Sequence, residues 1–223
     1  AQAGAEHRDL PKVDVIVRQH DATPEEAVAT EARRGYDLLV VGMEPAFGRR
    51  GGFADELSRL VSQFEGSIAI VAARGAQEAD AAAPVSKILI PVTGNENARR
   101  GAELAITLAK SAQAEATALS IIEREKKNKQ QLRRETEAVS EEIRKIAQFL
   151  KARVKTITRS DADAGVAILQ TIERGKFDLV AIGVSRRPGE KLSFGGVADM
   201  LLKEAKCSLL FIAPQTRGAM KSS

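Results

Sequence analysis

Tryptophan is absent from this 223-residue chain, aromatic residues make up 4% of it, and it holds one cysteine and two histidines. Each scarcity removes a class of function. With so few aromatics the core must come from Ala, Val, Leu and Ile. The aromatic-plus-basic platform that holds single-stranded nucleic acid is not available. A net charge of +4, with acids and bases interspersed, gives no basic footprint, so no nucleic-acid partner is expected. A lone Cys207 excludes an internal disulfide and suits a reducing compartment. Placed just before an apolar strand, it reads as a buried small hydrophobe. No His-Glu-x-x-His pair, Cys/His cluster or Gly-x-x-x-x-Gly-Lys-Ser/Thr loop occurs, so neither a metal nor a common phosphate-loop enzyme is expected. His7 and His20 have no Ser or Cys nucleophile near them in sequence and read as loop residues. No apolar run approaches the ~18–20 residues that span a bilayer, and no signal peptide is present, so this piece reads as soluble.

What is present is an internal echo. Tyr36-Asp37-Leu38-Leu39-Val40-Val41-Gly42 returns 141 residues later as Phe177-Asp178-Leu179-Val180-Ala181-Ile182-Gly183. Val13–Arg18 matches Val154–Arg159, and Ser67–Ala72 matches Ser208–Ala213 at the same offset. Gly51-Gly52-Phe53-Ala54-Asp55 matches Gly195-Gly196-Val197-Ala198-Asp199 at an offset of 144, so the second loop is three residues longer. A fixed period of this kind organises the fold before any local signal is weighed. The second copy begins near Ser86. The first would begin roughly 55 residues ahead of Ala1, which makes the chain the tail of a longer polypeptide.

The expected organisation follows from periodicity and stop signals. Residues 1–11 and 215–223 read as flexible ends, 12–73 as the back half of a first domain, 74–85 as a linker and 86–214 as a complete domain. In the half copy, strand 13–17 precedes a helix opened by Thr23, Pro24 and two glutamates and stopped by Gly35. Strand 38–41, helix 54–64 and strand 68–71 complete it. The full copy reads as strands 87–92, 115–122, 153–158, 177–182 and 208–213 alternating with helices 95–112, 124–152, 163–174 and 196–205. Strands alternating with helices require crossover connections. The fold class is therefore α/β, a doubly wound five-stranded parallel sheet plus the back half of a second copy. In the long polar helix, Val139, Ile143, Ile146 and Leu150 make one apolar stripe. Its beginning, Arg124–Gln131, has no such face and is either solvated or a contact surface for a subunit or lipid headgroups.

In an open parallel sheet, ligands settle beyond the carboxyl ends of the strands, where the strand order reverses. Two loops should meet there: Pro91-Val92-Thr93-Gly94 after the first strand, and Gly183 through Ser185, Arg186, Arg187 and Gly189 to Gly195-Gly196-Val197. Glycines let backbone N–H groups approach a phosphate, a helix N-terminus adds partial positive charge, and arginines supply forked hydrogen bonds. The alternative, equally open on spacing, is that the glycines only turn the chain and the arginines are solvated.

Strand Lys87–Val92, the segment Asp178–Gly183, the helix opening Gly195-Gly196-Val197-Ala198 and Cys207–Phe211 together resemble the universal stress protein family. The resemblance covers residues 86–214, and 12–73 is similar to the back half of a second such domain. It implies a nucleotide-binding, α-hydrolase-like fold and a site for ATP, ADP or AMP. In that family the loop is patterned Gly-two-Gly-nine-Gly-Ser/Thr, with an Asp ending the first strand. Carried over, the first Gly is Gly183, the second position holds Arg186, the third Gly is Gly195 after eight residues, Gly196 takes the Ser/Thr place, and Thr93 stands for the Asp. Thr93 has no carboxylate, Arg186 cannot lie as flat on a phosphate as glycine, and Gly196 lacks a hydroxyl. An arginine-lined loop can still hold an anion. The half copy departs further, with Met43-Glu44-Pro45 after Gly42, and is expected to bind nucleotide poorly.

More narrowly, Pro91-Val92-Thr93-Gly94 followed by Asn95–Glu103 is similar to the tandem tail of bacterial cation/proton antiporters of the monovalent cation:proton antiporter-2 type. That resemblance implies a regulatory domain on the cytoplasmic side of the inner membrane. Its partners would be the transmembrane antiporter domain of the same polypeptide, a small nucleotide, and itself, through the terminal strands 68–71 and 208–213. It implies no enzyme beyond weak ATP hydrolysis. The alternatives are a ligand-free interaction or dimerisation module and a free-standing ATP-binding stress protein, which the missing acid at Thr93 disfavours.

Overall fold

The computed structural model describes residues 36–43, 66–80, 82–123, 129–185 and 195–215, together with Glu26, Thr30, Glu31 and Phe64. The expected strand 13–17, most of the helix 54–64 and the polar start of the long helix at 124–128 lie outside the described residues. So do Arg186, Arg187 and Gly189.

Seven strands form one sheet: β1 (Leu38–Met43), β2 (Ser67–Ala72), β3 (Lys87–Val92), β4 (Glu115–Glu123), β5 (Val154–Asp161), β6 (Leu179–Gly183) and β7 (Ser208–Ala213). Their spatial order is β1-β2-β7-β6-β3-β4-β5. Every neighbouring pair is parallel except β2 with β7. The complete copy is thus doubly wound about β3, with the order reversing between β3 and β6.

The helices Glu96–Ala112 and Ala164–Gly175 start and stop for local reasons. α1 is a four-residue turn (Ala76–Ala79) inside the stretch expected to be linker. That stretch is also anchored, because the Arg74 guanidinium donates to the carbonyls of Leu201, Leu202 and Ala205. α2 (Glu96–Ala112) is capped by Asn95, whose side chain accepts from the Ala98 N–H. α3 (Lys129–Phe149) carries the apolar stripe expected of it, and Val139, Ile143, Ile146 and Leu150 all face the core. α4 (Ala164–Gly175) is capped by Asp163, and α5 (Gly196–Glu204) opens at Gly195 with φ 92°. α2 and α4 end on the non-glycine left-handed residues Gln113 and Lys176.

Period-two alternation splits the sheet between two cores. Leu89, Val180, Leu209 and Phe211 face α4 and α5, while Ile88, Ile90, Val92 and Ile212 face α2 and α3. α2 meets the sheet through small residues, Ala98, Gly101, Ala102, Ala105 and Ala109, which lets its axis lie close. Cys207 is buried, and desolvation pushes its thiol up to about 11, as suits a small hydrophobe rather than a nucleophile. Among the described residues no helix is long and apolar enough to cross a membrane.

The echo in sequence is also an echo in register. Leu38 pairs with Ser67 as Leu179 pairs with Ser208, and the ladder continues in step. The Ser67 N–H donates to Asp37 O at 2.9 Å, and the Ser208 N–H to Asp178 O at 3.0 Å. The antiparallel seam is symmetric as well. Ile68↔Ala213 and Ala72↔Leu209 exchange under the 141-residue shift, as do Ala69↔Ile212 and Val71↔Leu210, about a central pair Ile70↔Phe211. This is the isologous geometry of a two-fold interface, formed within one chain. The terminal strands 68–71 and 208–213 thus pair with each other inside the chain. Both edges of β2 and of β7 are occupied internally, so among the described residues the outer edges are those of β1 and β5.

Candidate nucleotide site at the switch point

The crevice opens because of β3 and β6 themselves. Their ladder pairs only Ile88 with Leu179 and Leu89 with Val180. Beyond it comes Pro91, which has no N–H to extend a ladder. β3 continues against β4 instead, through Pro91↔Leu119 and Val92↔Ser120. At the other end Asp178 ties the strands together, its carboxylate accepting from the N–H groups of Ser86 and Lys87 at 2.8 Å each. The strands are therefore clamped at their starts and part at their carboxyl ends, where the candidate loops lie.

Pro91 and Val92 are buried strand residues, whereas Thr93 and Gly94 are exposed at the strand end. The Thr93 hydroxyl accepts from Asn95 Nδ2 at 2.8 Å, so the residue in the family's acid position is engaged in holding the α2 cap. Among the described residues the first turn of α2 is tied to the second loop, Asn97 Nδ2 donating to Ser185 Oγ at 2.6 Å. Gly195 and Gly196 open α5 with nothing within 4 Å of where a Cβ would stand. The positive φ favours glycine at Gly195, and no such constraint applies at Gly196. Val197 packs its side chain on the core below. Thus the described candidates, Pro91, Val92, Thr93, Gly94, Gly183, Ser185, Gly195, Gly196 and Val197, are placed on the carboxyl ends of β3 and β6 and on the start of α5.

Gly183 has a packing role besides the one its motif implies. A Cβ there would stand 2.8 Å from Ala98 Cα and 3.0 Å from Asn97 C, and closer still to Asn97 O. Reciprocally, a Cβ on Gly101 would lie 2.5 Å from Gly183 Cα. The two glycines let the first turns of α2 press on the end of β6. That contact sets the height of the α2 N-terminus over the crevice, so Gly183 shapes the site whether or not it touches a ligand.

The electrostatics of the rim are mixed. Glu96, in the first turn of α2, accepts from Arg99 at 2.9 Å and from Arg100 at 2.9 Å. Those hydrogen bonds, the Arg99 bond first, hold its carboxyl down from 4.5 to about 2. Arg99 also bonds Glu103 at 2.8 Å and reaches Glu142 of α3 at 3.6 Å, and its own pKa is raised by the Glu96 bond. Glu96 favours the helix dipole but would repel a phosphate, and the two guanidinium groups offset that repulsion. No group of metal-ligating side chains occurs among the described residues.

Sequence reasoning passed over Asn97 and Gly101. Asn97 gives no signal in a single sequence. Gly101 does, since an isolated glycine inside a helical pattern costs stability and usually has a packing cause.

An open, doubly wound sheet with helix N-termini converging on its switch point defines the class of α/β nucleotide-fold proteins. Within that class the family model described as universal stress protein family matches residues 84–213, more than half of the chain, and the chain belongs to that family. A universal stress protein from Archaeoglobus fulgidus DSM 4304 is 13% identical, covers 86% of this chain and 67% of its own, and superposes with a TM-score of 0.58. A functionally unknown protein from Pseudomonas aeruginosa PAO1 is 16% identical over 88% of this chain and 69% of its own, with a TM-score of 0.53. A universal stress protein solved in complex with cAMP is 12% identical over 59% of this chain and 99% of its own, at 0.48. At these identities the likeness to the first two shows the fold alone. No curated protein sequence matches the chain.

Proposed function

We propose that residues 86–214 form a nucleotide- or anion-sensing regulatory domain, joined through 74–85 to the back half of a second such domain at 12–73. In this reading the pair sits on the cytoplasmic side of the inner membrane as the tail of a cation/proton antiporter. The observation that carries the sensing half is the crevice between β3 and β6, where Asn97 in the first turn of α2 bonds Ser185 of the second loop. The ligand class is ATP, ADP, AMP or a related anion, held by backbone N–H groups of Gly94, Gly195 and Gly196 with Arg186 and Arg187 adjacent in the chain. No catalytic role is assigned, because Thr93 stands where the family's acid would be.

Regulation requires that a ligand favour one arrangement of the paired units over another. The site lies one hydrogen bond from the seam between them. The Val184 N–H donates to Ile212 O at 2.8 Å, and Ile212 pairs with Ala69 of β2. A ligand that shifts the Gly183–Ser185 loop therefore pulls directly on the strand that joins the two units.

Calorimetry of the chain against ATP, ADP, AMP, cAMP and cyclic dinucleotides tests the proposal. Heat of binding that is lost in Arg186→Ala supports it, and silence across the panel removes the sensing function. A ligand-free interaction module is the second reading, favoured by the apolar sheet face left open on β1.

A further inference from the structure

Arg74 follows directly on the last strand of the first unit, just beyond β2, yet it acts on a helix of the second. Its guanidinium donates to the carbonyls of Leu201, Leu202 and Ala205, which form the last turn of α5. Its main chain is fixed as well. The Arg74 N–H donates to Ser208 Oγ at 3.0 Å, and the Ser208 hydroxyl donates back to Arg74 O at 3.2 Å, shared with Gln77 Oε1 at 3.2 Å. α5 is held laterally too, since Ala198, Leu201 and Leu202 share one core with Ile68, Ile70 and Ala72 of β2.

The seam here is symmetric except for the cation. Under the 141-residue shift Ser208 becomes Ser67 and Arg74 becomes Gln215, and the Gln215 N–H does donate to Ser67 Oγ, at 3.2 Å. The main-chain contact is thus kept in both halves, while the guanidinium occurs in one. What it adds is charge at the C-terminal pole of α5. The last carbonyls of a helix carry a partial negative charge. α5 has nine residues, so that pole lies about 14 Å from the helix start at 1.5 Å per residue. An anion beside Gly195 and Gly196 is attracted by the near pole and repelled by the far one. A guanidinium forked onto the far pole cancels the repulsion. Arg74 is half-buried and is screened less than the exposed Lys203 in the same turn.

We propose that Arg74 is a positioning residue for the anion site: supplied by the first unit and acting through α5, it raises the affinity of the crevice for phosphate-bearing ligands while the β2–β7 seam is closed. This rests on the nucleotide reading above, and Arg74 is then a contact through which the arrangement of the two units reaches the ligand. By reciprocity, whatever opens the seam at Arg74 weakens ligand binding, and bound ligand favours the closed seam by the same factor.

Calorimetric titration of the 223-residue chain with ATP and with AMP tests it, in the wild type, Arg74→Gln, Arg74→Lys and Lys203→Gln, each also melted by circular dichroism. Arg74→Gln should weaken ATP binding about three- to tenfold, and AMP binding by less because AMP carries fewer charges. Arg74→Lys keeps the charge without the fork. Its affinity should return to within about twofold of wild type although its melting temperature recovers only in part. Lys203→Gln should change affinity by less than about twofold. An arginine that only holds the fold would give another pattern, affinity tracking melting temperature through the series. That pattern, or equal ATP affinity in Arg74→Gln and wild type, overturns the proposal and leaves the nucleotide reading standing. A wild type silent to both ligands overturns the two together.

Discussion

Gly183→Ala and Gly42→Ala place the same methyl group at two positions 141 residues apart in matching strands, with opposite expected outcomes. At Gly183 the new Cβ stands 2.8 Å from Ala98 Cα and 3.0 Å from Asn97 C. Carbon atoms rest at about 3.5–4.0 Å, so β6 and α2 must separate by roughly 0.7 Å or more. The atoms in the way are backbone on both sides, and no rotamer change relieves them. Overpacking of this kind costs about 1–3 kcal/mol, and the rigidity of both partners puts this case at the upper end. Removing a strand glycine returns about 0.5–1 kcal/mol, leaving a net loss of about 2 kcal/mol. For a chain of this size that lowers Tm by about 4–8 °C. At Gly42 nothing opposes the methyl, so only the glycine gain remains and Tm rises by about 1–4 °C. Thermal unfolding followed by circular dichroism in one buffer measures both. Equal shifts, or a neutral Gly183→Ala, would refute the close approach of α2 to β6 and with it the account of how the crevice is shaped.

Arg74→Ala removes the cation whose fork caps the C-terminus of α5, and loses about 1–2 kcal/mol in urea unfolding, with Lys at 74 recovering only part of it. Lys176→Gly relieves a left-handed residue (φ 51°) at the end of α4 and raises stability by about 0.5–1 kcal/mol; the matching position in the first copy is already Gly35. Glu96 has a folded pKa depressed from 4.5 to about 2, so its favourable contribution is complete above pH 4.5 and is lost as pH falls toward 2. Glu96→Gln should therefore flatten the stability–pH curve in that window and leave its slope above pH 5 unaltered.

Much of the fold was legible because each signal had a local cause. Lys87–Val92 and Ser208–Ala213 are apolar runs flanked by polar or turn residues, and the strands observed there have those same bounds. Asn95 and Asp163, the first residues of the expected helices 95–112 and 163–174, act as the caps of α2 and α4. The stretch expected to be a linker, 74–85, holds detail the sequence did not show: Arg74 reaches α5 and α1 forms one turn, and the Arg74 contacts are set by partners some 130 residues away that no local pattern encodes. The site was legible as a place, since strand order alone locates the crevice. The division of labour within it was not. Gly183 is expected from its motif to be a phosphate glycine, and the packing constraint it also carries comes from Asn97 and Ala98 on another element, which no local pattern encodes.

Backbone amide chemical shifts of the 223-residue chain, recorded while ATP is titrated in, report whether the crevice takes a nucleotide. Saturable shifts are expected to be largest at Thr93, Gly94, Ser185, Gly195 and Gly196, with smaller changes spreading through Val184 to Ile212 and Ala69. Shifts centred instead on the open face of β1, or a spectrum untouched by ATP, ADP and AMP alike, would contradict that expectation.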